Sequence, residues 1–228
     1  MQQLRHDQDM LTKAEAQAVK GFDPAYEALW RDVQAAAGRV HRAVGTDREW
    51  AWQHVLLAVA NFKAQMPLFP AQLPPLPVGE NFKRGDTLKV PVPGGPLTLR
   101  SEDPRTWREL SERVSGLGVP RTTTVLSALW PGRHVIADWR ALSAAVALVG
   151  VRNGWGHVPV EPDRADRLRV GWEIYSWYRR VVLDCAARED LHPVRIERAL
   201  YRLGDAMPGA TWNDYASRIE ERLVSILS

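Results

Sequence analysis

Residues 114–142 read VSGLGVPRTTTVLSALWPGRHVIADWRAL. Gly116 and Gly118 flank a single leucine, and glycine permits positive φ and close approach of a ligand to the backbone. Leu117 between them can turn inward and plug the two helices that the turn joins. Amides around such a turn, facing the start of the next helix, form a site that grips a phosphate diester without reading a base. The other reading of the same residues is an αα-turn with a glycine C-cap. Asp138 follows Gly116 by 22 residues and is the lone carboxylate in an apolar, strand-like run. A carboxylate there can steady developing positive charge, or it can cap the helix that follows. Arg121, Thr122 and Arg140 are the side chains that this arrangement puts near phosphates. Arg140 has a second reading, as a brace for Asp138 or a nearby acid.

These groups need elements to position them, and the chain punctuates those elements clearly. TKAE (12–15) and TDRE (46–49) look like capping boxes, with Thr12 and Thr46 as N-caps. Asp23-Pro24 and Asp103-Pro104 put proline at the first helical position after a capping Asp. Helices are predicted near 12–20, 24–37, 47–64, 104–114, 120–130, 138–149, 163–186, 193–204 and 212–227. The segment 66–78, MPLFPAQLPPLPV, has five prolines and reads as an extended connection. Strand-like runs around Gly94-Gly95 (86–100) predict a short hairpin, which its prolines confine to an edge. No internal repeat is present.

The 228 residues allow one large domain or two small ones sharing a cleft. At 45% hydrophobic and 25% charged, the chain can bury a real core. Of 30 basic residues only 5 are Lys, and Arg presents a planar fork of donors suited to phosphate and carboxylate. The net excess of +3 falls entirely within 80–150, which holds 10 basic and 7 acidic residues. That is the local sign a polyanion binder needs; an Arg-rich genome composition explains the bias equally well. One cysteine, Cys185, excludes an internal disulfide and a Cys-based metal or iron–sulfur cage, and it reads as a buried structural thiol. The six His never approach metal-ligand spacing, and HExxH, P-loop and GxSxG motifs are absent. With no apolar leader or membrane-length run, the expectation is a cytoplasmic protein that does not enter membranes.

The order hydrophobic-x-Gly-hydrophobic-Gly, helix, Asp resembles the helix-hairpin-helix DNA glycosylase superfamily. In that superfamily the hairpin usually reads Leu-Pro-Gly-Val-Gly, where this chain has VSGLG (114–118). The catalytic aspartate follows in a Val-Asp-Thr-His type segment, where this chain has VIADWR (135–140). PGRHVIADWRAL also resembles the bacterial branch with an 8-oxoguanine DNA glycosylase-like fold, which tends to show Pro-Arg-hydrophobic-Asp-x-Arg here. HPVRIERALYRLG (192–204) is similar to the branch's final helix, with its acidic-Arg-Ala-Leu-aromatic run. The resemblance covers roughly 104–204 and is specific at 114–142. Bifunctional members carry a lysine two residues after the second hairpin glycine, to attack the sugar and form a Schiff base. This chain has Pro120 there, and the neighbouring Arg121 cannot be deprotonated to serve. The resemblance therefore implies a monofunctional or inactive protein, without the iron–sulfur cysteines of other branches.

What it implies is an all-α, two-lobed fold with one short β-hairpin. Residues 1–100 would form an N-terminal helical lobe and 101–228 the helix-hairpin-helix lobe, with double-stranded DNA along the shared cleft. Asp138 would be the catalytic carboxylate, while Gly116, Leu117, Gly118, Arg121, Thr122 and Arg140 would hold the DNA. A flipped base needs a flat surface to stack on, and Trp139, Trp50, Trp52, Glu197 and Tyr201 are the pocket candidates. Trp172 and Trp177 are further ones, though most tryptophans are core. Glu197 has a solvent-exposed ion-pair face as its other reading. A monomer without cofactor or metal is expected. Excision of an oxidised, alkylated or hypermodified phage base, a silent DNA-binding module, and a helical protein whose GLG is merely a turn all remain open at this point.

Overall fold

The computed structural model describes residues 10–19, 24–64, 85–160, 170–204 and 211–228. The expected Asp23 cap and the proline-rich connection lie outside them; the helix expected over 163–186 begins only at Trp172, because Gly171 before it is extended and serves as the N-cap. In chain order the elements are α1 (Lys13–Ala18), α2 (Pro24–Arg42), α3 (Gly45–Ala64), β1 (Thr87–Val90), β2 (Leu97–Arg100), α4 (Pro104–Arg113), α5 (Gly118–Leu129), α6 (Trp139–Asn153), a 3-10 turn at Trp155–His157, α7 (Trp172–Arg188), α8 (Pro193–Leu203) and α9 (Trp212–Leu227). The described residues are thus mostly helical, with one two-stranded sheet, as an all-α reading requires. None of their helices is long and apolar enough to cross a membrane.

Two compact units divide the chain, and they are not the ones expected from the sequence. Phe22–His134 forms one, and Met1–Gly21 joins Val135–Ser228 in the other. The boundary therefore falls after His134 rather than at residue 100, because the first residues pack with the C-terminal half.

In the Phe22–His134 unit, α2 and α3 pair along stripes that include Trp30, Val33 and Val40 on one helix and Trp52, Val55 and Phe62 on the other, all buried. Gly45, at φ +54°, turns the chain into α3. Thr46 therefore lies inside the first turn of that helix and not at its cap. The hairpin forms as the alternation predicts, with Leu88 opposite Leu99 and Val90 opposite Leu97, all four buried. Gly94 and Gly95 take positive φ at its tip. Arg113 of α4 holds that tip by donating to the carbonyls of Pro93 (Nε, 3.0 Å) and Gly95. Asp103 caps α4 by accepting from the Arg105 N–H at 3.0 Å, with Pro104 at the first helical position.

The other unit is built around α6, whose residues 141–150 are all buried; a helix apolar all round is one enclosed by neighbours. The capping box at Thr12 is present, with the Glu15 N–H donating to the Thr12 hydroxyl and the Thr12 N–H to Glu15. Arg152, at the end of α6, explains why the first residues belong here. Its guanidinium donates to Glu15 of α1, to Glu220 of α9 and to the Met10 carbonyl, each at 2.8 Å. Cys185 is buried and donates to the Leu11 carbonyl at 3.2 Å. Burial pushes its thiol pKa up, so it is an inert structural group. His192 caps α8 by accepting from the Val194 N–H at 3.3 Å. Burial and the nearby charge of Arg198 push its pKa down, which keeps the ring neutral and its lone pair available.

Candidate functional site

The glycine turn lies in the Phe22–His134 unit. Helix α4 ends at Arg113, and the Val114 N–H still donates to the Leu110 carbonyl. Gly116 then takes φ +79° and Gly118 φ +51°, values at which a side chain costs about 1–2 kcal/mol each. Leu117 turns inward and is buried, as its position between the glycines predicts. Its N–H donates to the Val114 carbonyl at 3.2 Å, so that amide belongs to the turn and is not offered outward. The Gly116 and Gly118 N–H groups have no acceptor among the described residues, and both glycines are exposed. Arg121 reaches back and donates to the Gly116 carbonyl at 2.7 Å, closing the turn with one of its five N–H groups.

Two candidates in this unit are corrected by burial. Thr122 is fully buried and its hydroxyl has no partner, so it cannot meet a phosphate at the surface. The whole run from Thr122 to Leu129 is buried. Its threonines read as polar, but Thr123 and Thr124 turn their hydroxyls back to the Pro120 carbonyl at 3.0 and 2.8 Å. Trp52 is 1% exposed and belongs to the α2–α3 core, where no base can stack on it. Trp50 is 49% exposed, with its ring on His54 at 3.8 Å between centroids.

The second unit brings five of the candidates together. Asp138 is the N-cap of α6, accepting from the Arg140 N–H on Oδ1 at 3.0 Å. Its own N–H donates to the Ile136 carbonyl at 2.9 Å, a tight turn that sets the carboxylate at the head of the helix. Trp139 follows, 40% exposed. The Arg140 guanidinium is 5.5 Å from the Trp139 ring centroid and 5.4 Å from that of Tyr201, and it donates to the Tyr201 hydroxyl at 3.4 Å. No carboxylate lies within ion-pair distance of it among the described residues. Arg140 therefore does not brace Asp138 through its side chain; the two share only the backbone cap.

Glu197 and Tyr201 meet this segment from α8, but in different ways. Tyr201 holds Arg140 from a half-buried position. Glu197 is 6% exposed and accepts from the Ile136 N–H at 3.0 Å. Its alternative reading as an exposed ion-pair face is excluded. Gly204 completes the same helix face. A Cβ there would sit 2.2 Å from the Arg140 carbonyl oxygen, so only glycine lets α8 end against the first turn of α6. The spacing 197, 201, 204 is the i, i+4, i+7 stripe of one helix face, a signal that was legible for the first two residues. The role of Gly204 and the Ile136 amide was missed, since neither carries a chemical side chain. Of the remaining tryptophans, Trp177 is buried and donates to the His157 carbonyl at 3.0 Å, and Trp172 is half-buried beside Tyr175. Among the described residues no group of three His, Cys, Asp or Glu can hold a metal ion. Comparison with protein-family models, with curated proteins and with solved structures found no match for this chain.

Proposed function

We propose that the protein is a monofunctional DNA glycosylase that releases a damaged or modified base by an Asp-assisted water mechanism. The observation that carries the reading is the Asp138–Trp139–Arg140 segment. It presents a carboxylate, an exposed aromatic face, and an oriented guanidinium without a carboxylate partner among the described residues, side by side. In the reaction, the bond between sugar C1′ and the base nitrogen breaks and its electrons leave with the base. The positive charge left on the sugar is steadied by the Asp138 carboxylate. Water adds its hydroxyl to C1′, its proton ends on the nitrogen of the departed base, and the strand keeps an abasic sugar. Trp139 offers the flat face for an unstacked base. Arg140 can donate bidentately to a phosphate, and the Gly116 and Gly118 amides suit a second one. Pro120 stands where a lyase would need an amine, so strand cleavage is not part of the reaction.

A second reading has its own support. Asp138 already has a complete structural job as an N-cap, which is all that a silent helix-hairpin-helix DNA-binding protein would ask of it. Duplexes carrying one lesion each, from oxidised and alkylated purines to hypermodified phage pyrimidines, separate the two. The glycosylase reading expects alkali-sensitive abasic sites with at least one of them. Duplex binding with no base release across the panel favours the binder. A hypermodified substrate would make the protein a defence enzyme.

A further inference from the structure

We infer that Glu197 is a positioning residue for Asp138, acting through the Ile136 peptide; the inference rests on the reading of Asp138 as the reacting carboxylate. The Glu197 carboxylate accepts from the Ile136 N–H at 3.0 Å, and the carbonyl of Ile136 accepts from the Asp138 N–H at 2.9 Å. Asp138 in turn accepts from the Arg140 N–H at 3.0 Å. Two hydrogen bonds thus run from α8 to the Asp138 backbone, with no flexible side chain but that of Glu197, and a third ties the Asp138 carboxylate to the first turn of α6. Ile136 and Glu197 are both buried, 4% and 6% exposed, so water cannot substitute for the bond. Burying a carboxylate costs stability, and an apolar residue of similar size often does as well or better in such a place. What an apolar residue cannot supply is an acceptor that fixes where the 136–138 turn stands. Tyr201 and Gly204, on the same face of α8, fix the following residue, Arg140, by its guanidinium and its carbonyl. One helix face therefore sets the whole catalytic segment. Glu197 itself does not touch the reacting atoms.

The full-length chain is tested as Glu197→Gln, Glu197→Asp and Glu197→Leu, each alone and with Asp138→Asn. Amide hydrogen exchange at Ile136 and Asp138 and single-turnover base release are the readouts. Gln keeps an acceptor and is expected to stay within a few-fold of the native chain in both. Leu is expected to speed exchange at Ile136 and Asp138 and to slow release on the order of 10²-fold, the effect of an ångström-scale misplacement, with duplex binding unchanged. In the Asp138→Asn background Leu is expected to add no further loss, because its effect passes through that carboxylate. If the Leu chain does not fold, Asp carries the same test, since it keeps the charge and withdraws the acceptor by one methylene. Native exchange at Ile136 and Asp138 in the Leu or Asp chain overturns the inference, and so does a loss that multiplies with that of Asp138→Asn. Absence of base release by the native chain on every lesion is a different failure. It removes the glycosylase reading, and the exchange measurement still decides whether Glu197 fixes the turn.

Discussion

Asp138 is a helix cap and, in the function proposed above, also the reacting carboxylate; one pair of substitutions pulls the two roles apart. Its cap needs only an oxygen able to accept the Arg140 N–H at 3.0 Å, and Asn and Asp are nearly equal in that role. Asp138→Asn therefore keeps the cap and forfeits the favourable charge at a helix N-terminus, about 0.3–1 kcal/mol. Asp138→Ala loses the cap as well, about 1 kcal/mol more, and for a chain of this size that lowers Tm by roughly a further 2–4 °C. Stability should thus rank native, then Asn, then Ala. Chemistry follows the charge and not the cap, so Asn and Ala should be equally deficient. Removing one well-placed electrostatic stabiliser costs about 10²–10³-fold, or roughly 3–4 kcal/mol of barrier. The assay is single-turnover base release with Kd for the same duplex measured alongside, plus thermal melts of all three proteins. Base release by the Asn variant within about threefold of native, with only Ala impaired, would refute the catalytic role and leave Asp138 as a cap.

Thr122→Val should leave duplex binding unchanged and stability equal or slightly higher, because the buried hydroxyl has no partner to lose; weakened binding in a salt titration would restore Thr122 to the DNA surface. Gly204→Ala puts a methyl group 2.2 Å from the Arg140 carbonyl oxygen, and calorimetry should show a loss of about 1–3 kcal/mol; a neutral change would mean that α8 does not seat against α6 there. Burial of Glu15 opposes its ionisation, but the hydrogen bonds and charge of Arg152 and the Thr12 bonds outweigh this and lower its pKa below the ordinary 4.5. Its stabilisation is then full above that value and is lost as pH falls through the lowered one. Melts of the native chain should fall more steeply below about pH 4.5 than those of Arg152→Met, which costs about 3 kcal/mol at neutral pH; parallel pH curves would deny the linkage. Borohydride should trap no covalent protein–DNA adduct, since position 120 offers no amine; efficient trapping would point to Lys83 or Lys89, the two lysines of the basic segment.

Much of the local structure was legible because caps and turns are written in neighbouring residues. Thr12 with Glu15, Asp103 with Pro104, and the glycine pair at 94–95 each give a signal a few residues long, and each appears as predicted. Thr46 failed by one position because Gly45, at φ +54°, had already turned the chain into the helix. The two-unit division was not legible. It depends on Met10 and Leu11 being buried and on Arg152 reaching Glu15 across 137 residues of sequence. Within the site, side-chain types singled out Asp138, Arg140 and the pair Trp139 and Tyr201 for separate roles, and that Arg140 meets both Trp139 and Tyr201 was not legible. They misjudged Thr122 and Trp52, since residue type does not reveal which face of a helix its neighbours cover. The partnership of Glu197 with a backbone amide 61 positions away leaves no mark on the sequence except the spacing along α8.

The relation between Asp138 and Arg140 bears on which of their readings holds. They lie two residues apart and carry opposite charges, yet the Arg140 guanidinium is directed to Trp139 and Tyr201 while Asp138 takes the Arg140 backbone N–H. If stability alone governed the segment, an ion pair would be the inexpensive arrangement, or an uncharged residue at 140 would avoid withdrawing a guanidinium from water. Two aromatic faces recover part of that cost, about 0.5–2 kcal/mol each, and they also keep the guanidinium from swinging onto the carboxylate. Charges held apart retain their separate uses. A guanidinium held on aromatic faces can take a phosphate oxygen, and a carboxylate not paired with Arg140 can steady an oxocarbenium-like sugar. Paired, each would cancel the field the other needs. A cap explains the orientation of Asp138, but it gives no reason to keep Arg140 charged, aromatic-bound and without a carboxylate one helical step away. The proposed reaction on a polyanion, passing through a developing cation, would use that separation.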